Sequence, residues 1–367
     1  MARIMHIADL HLGCRQYGMQ EREEDFYRAL DQVRQIAVNR NVDAVVIAGD
    51  VFDSPKPPAR AVLELSHFVS RLKNDHGIDV LGIEGNHDST RESYWLRVCG
   101  IWPLGISPYV NSMNGVRVAG FNYSHADDLL REIEAFDDFK GPWPVVALHC
   151  GVAEMNAGFA PDVSAAQLAP LLQKLGCRYV ALGHIHIPCE QVHDGIMFAQ
   201  PGSLEMKSLD EPKSKFVEIV DIAQDGSVEH AEQVGYGTRP VIFMDVHDEE
   251  SLEKAVSEMR GMGGPESPLF VAYVDRTVRE GVSRVVDAMK SAGVLGRALP
   301  VGEKEAARAY DRKESMNLLK DAVSAFFDEG DPRHSMVLDI IATGNPRLVV
   351  ERFMNGEKTE KTETTAA

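Results

Sequence analysis

The residues of this chain that are best suited to bind metal ions occur in five short segments. These are ADLHLG, AGDVFD, EGNHDS, the histidine that follows VVAL, and LGHIH. The side chains they offer are Asp9, His11, Asp50, Asp53, Asn86, His87, Asp88, His149, His184 and His186. A mixture of imidazole, carboxylate and amide donors favours manganese, zinc or iron over magnesium, which prefers oxygen ligands. We therefore expect a transition-metal site, with manganese as the preferred ion.

Two cations held about 3.5 to 4 Å apart can bind an anionic phosphodiester and lower the pKa of the attacking water. Such a pair requires one bridging ligand, and a carboxylate with two oxygens is suited to that position. Asp50 is the natural candidate for the bridge. The ligand types therefore predict a two-manganese centre that hydrolyses phosphate esters.

Each segment follows an apolar run of strand length. The runs are Arg3 to Ala8, Ala44 to Ala48, Val80 to Glu84, Val145 to Leu148 and Tyr179 to Leu182. Further strands are expected at Val116 to Gly120, Ile196 to Ala199 and Lys215 to Asp221. Because ligands bind at the carboxyl ends of strands in open sheets, residues distant in sequence would converge there. Apolar faces at Phe26 to Ala37 and Ala61 to Leu72 predict helices that cover a sheet.

Each segment taken alone has an ordinary structural explanation. Asp9 and His11 could belong to a turn, Gly49 and Asp50 could form another, and His149 could be a buried histidine with satisfied hydrogen bonds. Five such segments in this order, each behind a strand, instead favour a metal centre.

The order D-x-H, GDxxD, GNHD, H and GHxH resembles the signature of the calcineurin-like metallophosphoesterases. Within that superfamily, the stretch DLHLGCRQYGMQEREEDFYRAL is similar to the archaeal Mre-eleven nucleases, which are relatives of bacterial SbcD and partners of the Rad-fifty ATPase. The resemblance is strong to about residue 237. It implies an α/β fold of two packed β-sheets flanked by helices, with a helix that begins near Phe26.

The resemblance also implies roles for individual residues. Asp9, His11, Asp50 and His186 would hold one metal, and Asp50, Asn86, His149 and His184 would hold the other. His87 would be catalytic, pointing at the scissile phosphate and protonating the leaving oxygen. Asp88 would either orient His87 or cap the following helix. Many relatives carry histidine where this chain has Asp53, so Asp53 is expected to buttress its loop.

The activity implied is that of a manganese-dependent nuclease in double-strand-break repair, an exonuclease on duplex ends and an endonuclease on single-stranded DNA. Its partners would be DNA and a Rad-fifty-type ATPase, and the chain lacks a GxxxxGK phosphate loop of its own. Related nucleases form homodimers through the helix at Ala61 to Leu72 and the segment with Tyr94, Trp95 and Leu96, although Trp95 could equally be a core residue.

Two other classes of function are alternatives to the nuclease. Protein phosphatases of the superfamily typically have GDxxDRG and GNHE, but here Asp53 is followed by Ser54 and Pro55 and the third motif is GNHD. The phosphate-binding arginine of the phosphatases is therefore missing from this motif. A non-catalytic scaffold would be expected to have lost ligands, and this chain lacks none of them.

The pattern of elements divides the chain into four regions, and the resemblance implies a role for the first three. Residues 1–237 would form the nuclease domain, and 238–304 a small α/β capping domain that follows a linker at Gly235 to Pro240. Helices in 305–354 would bind the ATPase or pack onto the capping domain, and the polar tail 355–367 would be disordered.

Composition sets further limits on the 367-residue chain. The net charge of −18 is unusual for a protein that binds DNA and suggests that a partner supplies much of the affinity. Candidate phosphate contacts are Arg15, Arg22 and Arg91, although each could be an ordinary surface arginine.

No apolar stretch reaches the length of a membrane span, and no signal peptide is visible, so we expect a cytoplasmic protein. Five scattered cysteines predict neither disulfides nor a structural zinc.

Overall fold

The computed structural model describes residues 1–90, 92–111, 115–136, 141–155, 161–209, 211–264 and 267–301. The predicted ATPase-binding helices, the disordered tail and Arg91 lie outside the described residues. In chain order the strands are β1 (Ala2–Ile7), β2 (Ala44–Ala48), β3 (Asp79–Ile83), β4 (Trp102–Pro103), β5 (Tyr109–Val110), β6 (Arg117–Gly120), β7 (Val145–His149), β8 (Tyr179–Gly183), β9 (Cys189–His193), β10 (Ile196–Gln200), β11 (Lys215–Ile222), β12 (Val228–Tyr236), β13 (Val241–Val246), β14 (Leu269–Asp275) and β15 (Leu295–Val301). The α-helices are α1 (Gln20–Asn39), α2 (Ala59–His76), α3 (Tyr94–Val98), α4 (Ala126–Ala135), α5 (Ala165–Lys174), α6 (Glu249–Met259) and α7 (Gly281–Ala292).

Two six-stranded sheets form the centre of the fold. The first has the strand order β12-β11-β1-β2-β3-β4, and β1, β2 and β3 run parallel. The second has the order β5-β6-β7-β8-β10-β9, and β6, β7, β8 and β10 run parallel. Each sheet therefore presents the carboxyl ends of several neighbouring strands along one edge, where their following loops can meet.

The alternation of side chains along the central strands explains the layers. In β2, Val45 and Ile47 pack with residues of α1 and α2, whereas Ala44 and Val46 face the other sheet. Helices α4 and α5 cover the outer face of the second sheet. Because both faces of the parallel strands are buried, their sequences read as continuous apolar runs rather than alternating ones. The predicted class, two packed sheets flanked by helices, is confirmed.

One expectation for local structure was wrong, and another holds only in part. Helix α1 begins at Gln20 rather than near Phe26. Its first turns bury Arg22, Glu23 and Asp25 through ion pairs, so apolar periodicity does not reveal them. The expected linker at Gly235 to Pro240 is still strand at its start, where Gly235 pairs with Phe216 of β11.

A third sheet lies at the end of the described chain, with parallel strands in the order β13-β14-β15. Helices α6 and α7 cover one face of this sheet. The other face packs Val241, Leu269 and Val271 against Met206 and the segment of Tyr17 and Met19. The expected strands at Val241 to Val246 and Leu269 to Val274 are present, whereas β15 was not anticipated.

The cysteines and the helix lengths can be described directly from the structure. All five cysteines are free, and four of them are buried. Within the described residues, every helix is too short or too polar to cross a membrane.

Candidate metal centre

The five segments meet at the carboxyl ends of strands from both large sheets. Asp9 follows β1 and Asp50 follows β2, and the two loops are tied together by backbone hydrogen bonds. The amide of Asp9 donates to the carbonyl oxygen of Gly49 (3.1 Å), and that of His11 donates to the carbonyl oxygen of Asp50 (2.9 Å). From the second sheet, β7 ends in His149 and β8 is followed by His184. The structure thus brings the segments together, as expected from the strand ends.

Three of the predicted ligands of the first metal, Asp9, His11 and His186, place donor atoms within 4.8 Å of one another. We call these side chains, with Asp50, the first donor group. The Nε2 atoms of His11 and His186 are 3.0 Å apart, and Nε2 of His11 is 3.6 Å from Oδ2 of Asp50. All four ligands predicted for the first metal therefore surround one small space.

The second donor group consists of Asn86, His149, His184 and, again, Asp50. Oδ1 of Asn86 lies 3.1 Å from Nε2 of His149 and 3.0 Å from Nδ1 of His184. Oδ1 of Asp50 lies 3.5 Å from Nε2 of His149. Asp50 thus offers one carboxylate oxygen to each group, which is the arrangement that a bridging ligand needs.

The hydrogen bonds of the histidines show that both groups fit metal ions. The carbonyl oxygen of Ala48 can only accept, so Nδ1 of His149 must donate to it (2.8 Å). In the neutral ring, Nε2 then carries a lone pair that faces the oxygens of Asn86 and Asp50. His186 is similar, because Nδ1 bonds to Glu211 (2.8 Å) and Nε2 faces Nε2 of His11. Lone pairs that converge on a common space are the donor set of a cation.

Glu211 contacts the first donor group, and sequence reasoning missed it. Its Oε1 accepts from His186, and its Oε2 accepts from Ser203 (2.7 Å) and from Lys215 (2.8 Å). Metal-binding histidines usually donate their second ring nitrogen to such a carboxylate, which fixes the tautomer and raises the basicity of the ligand. Although burial raises the pKa of Glu211, His186 and Lys215 together bring it down to about 2. The run LEMKSLDEPKSK has mixed charge and neither helical nor strand periodicity, so the sequence did not indicate that Glu211 contacts a metal-binding histidine.

Asp53 makes a second contact of this kind, with the other histidine of the first donor group. Its Oδ1 lies 3.3 Å from Nδ1 of His11 and 2.8 Å from Nζ of Lys207. Its backbone carbonyl oxygen lies 3.1 Å from Nδ1 of His87. Asp53 therefore touches both a predicted ligand and the predicted catalytic histidine, which is more than the expected buttress of its own loop. Lys207, like Glu211, was not anticipated.

The role expected for Asp88 needs correction. Its carboxylate accepts hydrogen bonds from the backbone amides of Val51 (2.7 Å), Phe52 (3.1 Å) and Gly85 (2.8 Å). It therefore ties the segment after Asp50 to the segment that precedes Asn86, instead of orienting His87 or capping a helix. Burial raises the pKa of Asp88 to about 7, and the charge of Asp50 adds to this effect.

Burial and the charges of neighbouring side chains have opposing effects on the pKa values of the proposed ligands. Burial raises the pKa of Asp9 to about 6 and lowers that of His11 to about 4. Burial alone would lower the pKa of His149, but Asp50 and Asp9 outweigh it and raise the value to about 9. The pKa of Asp50 stays well below its usual range because His149 and His11 outweigh the effect of burial. Burial therefore dominates at Asp9 and His11, whereas neighbouring charges dominate at Asp50 and His149.

Glycines keep space for the ligand side chains. A Cβ atom on Gly49 would lie 2.2 Å from Nδ1 of His149, and one on Gly85 would lie 2.0 Å from Oδ1 of Asp50. A Cβ atom on Gly183 would meet the carbonyl oxygen of Ala48 at 2.0 Å. The glycines of the GD, GN and GH pairs are therefore required by close approach.

The arginines suggested as phosphate contacts fit that role poorly. Arg22 is fully buried and bonds to Asp25, Gln16 and Glu205. Arg15 is exposed but paired with Glu23 (2.5 Å).

Comparison with known proteins agrees with the geometry of the centre. A model of the calcineurin-like phosphoesterase family matches residues 2–188. Several relatives carry the name DNA double-strand break repair protein Mre11. That of Methanosarcina mazei is 48% identical over 77% of this chain and 51% of its own length. The Aeropyrum pernix relative is 30% identical over 70% of this chain and 67% of its own length. The Archaeoglobus fulgidus relative is 27% identical over 96% of this chain and 85% of its own length.

The chain thus spans about half the length of the Methanosarcina mazei relative. Among solved structures, TT1561 of Thermus thermophilus has a TM-score of 0.41 and 11% identity over 64% of this chain and 98% of that one, a likeness too distant to inform the site. The family match includes every strand end that contributes to the centre, from Asp9 to His186. The chain therefore belongs to the calcineurin-like phosphoesterase family and, by its identity to the relatives, to the proteins within it that are named Mre11.

Proposed function

We propose that this protein is a two-metal DNA nuclease of double-strand-break repair that uses manganese. The observation that carries the proposal is the position of Asp50, whose two carboxylate oxygens face two separate groups of converging donors. The relatives named Mre11 are described as DNA double-strand break repair proteins, which supports DNA as the substrate.

The ligands proposed for the first metal are Asp9, His11, Asp50 and His186, and those for the second are Asp50, Asn86, His149 and His184. When bound, the two cations would neutralise the phosphodiester and lower the pKa of the attacking water. Manganese suits the mixture of nitrogen and oxygen donors. Glu211 and Asp53 would hold the rings of His186 and His11 so that Nε2 of each presents its lone pair.

His87 is the group proposed to assist the leaving oxygen. Its side chain is 38% exposed, and its ring lies 4.8 Å from that of His11, measured between ring centres. Because the carbonyl oxygen of Asp53 accepts from Nδ1, the protonated ring has its second hydrogen on Nε2. This hydrogen can be donated to the oxygen that leaves phosphorus. His87 also lies within reach of His11 and Asp53, but it is proposed to act in catalysis and is not one of the seven proposed metal ligands.

The test uses the purified full-length chain with manganese and end-labelled duplex and single-stranded DNA. A nitrophenyl phosphodiester and a nitrophenyl phosphomonoester are assayed in parallel, and metal binding is measured by calorimetry. We expect His87→Ala to retain two manganese ions and lose at least about 100-fold in cleavage rate, the usual contribution of general acid catalysis. Asp50→Ala should lose both ions. His230→Ala, on the exposed part of β12, is the matched control and should behave as wild type.

Intact DNA in the presence of rapid ester turnover would overturn the nuclease proposal in favour of a small-substrate phosphoesterase. Full activity of the His87 variant would refute the role of that residue. Binding of one manganese ion by the wild type would refute the two-metal centre.

We propose further that the protein forms a homodimer through α2 and α3. Three apolar side chains of these helices, Leu63, Tyr94 and Val98, are 50% or more exposed. Trp95 beside them packs partly against the core and donates from Nε1 to the carbonyl oxygen of Pro55 (2.9 Å). Light scattering should report a dimer for the wild type and a monomer for Val98→Glu. Val192→Glu, at another exposed valine, is the control that should stay dimeric.

We infer that a Rad-fifty-type ATPase is the partner and that the complex works in the cytoplasm. The sequence has no GxxxxGK loop, so energy from ATP would have to come from another subunit. The net charge of −18 also supports a partner that contributes DNA affinity. Co-purification of the full-length chain with that ATPase tests this proposal.

A further inference from the structure

We propose that Lys207 binds the phosphate group of the substrate. The inference rests on the proposed function and identifies the side chain that would bind the phosphodiester beside the metals. In protein phosphatases of the superfamily, the motif GDxxDRG places an arginine directly after the second aspartate. Here that position is Ser54, so a basic group that lies next to Asp53 comes from another segment of the chain.

The structure places the ammonium group of Lys207 beside Asp53. Nζ is 2.8 Å from Oδ1 of Asp53 and 3.2 Å from Nδ1 of His11. Oδ1 of Asp53 is in turn 4.0 Å from Nδ1 of His87. The ammonium group therefore contacts a proposed metal ligand on its Nδ1 side, and through Asp53 it lies next to the proposed catalytic acid. A bound phosphodiester that reaches His87 would approach this partly exposed edge of the centre.

The backbone of Lys207 is held firmly, so the position of its side chain is built into the fold. The carbonyl oxygen of Lys207 accepts from Nε2 of Gln16 (2.8 Å), and its amide donates to Oε1 of Glu211 (3.3 Å). Gln16 is itself buried and accepts from Nε of Arg22 (2.8 Å). Lys207 is thus tied both to the segment after His11 and to the carboxylate that orients His186.

Neighbouring cations are less able to reach a substrate. Lys215 is fully buried and bonds to Glu211 and Ser203, and Arg22 is buried among its own partners. The side chain of Lys207, in contrast, is 21% exposed. A lysine is a compact charge on a flexible stem, so its ammonium group can turn from Asp53 towards an incoming phosphate oxygen. Asp53 would then hold Lys207 in place before the substrate arrives.

The competing explanation is that Lys207 only neutralises Asp53 and thereby fixes the ring of His11. The two explanations predict different changes in Lys207→Met, which removes the charge but keeps most of the length. Loss of a phosphate contact should weaken binding of the substrate and leave metal affinity intact. Loss of a support for His11 should weaken metal binding and lower kcat.

The experiment compares the wild type, Lys207→Met and Lys207→Arg. Lys174→Met, an exposed lysine at the end of α5 on the second sheet, is the matched control. The readouts are the manganese affinity of the metal-free protein by calorimetry, KM and kcat for bis(4-nitrophenyl) phosphate and single-stranded DNA, and the Kd of inorganic phosphate for the manganese-loaded protein. For Lys207→Met we expect KM and the phosphate Kd to rise by about 10- to 100-fold, as for a lost charge-assisted hydrogen bond.

Manganese affinity should not fall in Lys207→Met, kcat should change less than KM, and Lys207→Arg should restore most of the phosphate affinity. A weaker affinity for manganese together with an unchanged phosphate Kd would overturn the proposal and make Lys207 a support for His11. An unchanged Kd and KM in all variants would also overturn it. If the wild type cleaves neither substrate, the proposed function fails, whereas the phosphate titration still decides the role of Lys207.

Discussion

Glu211→Gln is the substitution that tests most directly how the metal centre is supported. The change keeps the shape of the side chain but removes the charge that faces Nδ1 of His186 at 2.8 Å and Nζ of Lys215 at 2.8 Å. A glutamine can also present its NH2 group to Nδ1 of His186, which would favour the tautomer that lacks a lone pair on Nε2. We therefore expect the first donor group to lose affinity for manganese.

The size of the effect can be worked out from the two contacts separately. Removal of the carboxylate partner of a metal-binding histidine typically costs 10- to 100-fold in metal affinity, or about 1.4 to 2.8 kcal/mol. The ion pair with Lys215 is buried, and the loss of one partner of such a pair costs about 3 to 5 kcal/mol of stability. The amide oxygen of the introduced glutamine can still accept a hydrogen bond from Lys215, so we expect the loss of stability near the lower end, about 3 kcal/mol.

A second variant separates the two effects. In Glu211→Gln combined with Lys215→Met, the stranded charge of Lys215 is absent, and part of the lost stability should return. Metal affinity should stay low, because His186 still lacks its carboxylate. The assays are urea denaturation of the metal-free proteins and calorimetric titration with manganese. Wild-type affinity for manganese in a folded Glu211→Gln variant would refute the view that Glu211 orients His186.

Two further substitutions test the packing of the centre and of the space between the sheets. Gly85→Ala should abolish manganese binding, because its Cβ atom would lie 2.0 Å from Oδ1 of Asp50, whereas Gly237→Ala, with nothing closer than 3.5 Å, should bind as wild type in the same titration. Glu218 is fully buried, and its pKa is raised from 4.5 to about 8, mainly by burial and also by Glu190. Its contribution to stability is therefore complete below about pH 4.5 and is lost as the pH rises through about 8. Glu218→Gln should accordingly gain roughly 2 to 4 kcal/mol relative to the wild type between pH 5 and pH 8.5, and an equal difference at both pH values in urea denaturation would contradict this assignment.

The part of the site that could be predicted from sequence is the part that strands position. The ligand segments follow buried apolar runs, and parallel neighbours such as β1 and β2 end at the same edge, so Asp9 and Asp50 had to be close. The signal was strong because these strands are buried on both faces and carry few polar residues. Within β1-β2-β3 and β6-β7-β8, strands that follow one another in sequence are also neighbours in the sheet, so the loops after them lie side by side.

The supporting residues could not be predicted, because they come from irregular segments. Glu211 and Lys207 lie between β10 and β11, where no periodicity indicates which side chain turns inwards. Asp88 offered two local explanations, and the structure shows a third, in which its carboxylate binds three backbone amides from two loops. Long-range contacts of this type depend on the packing of the sheets rather than on the neighbouring sequence.

The backbone at the centre shows why these loops need such support. Four of the proposed ligands, Asp9 (φ 52), His11 (φ 42), Asp50 (φ 49) and His184 (φ 95), lie in the left-handed region that favours glycine. Each such residue costs about 1 to 3 kcal/mol unless its surroundings hold it in place. Glycine at these positions would relieve the strain, but it would also remove a donor atom. The bonds between the Asp9 and Asp50 loops and the three amides bound by Asp88 offset this cost, so the supporting network follows from the need to turn ligands sharply at strand ends.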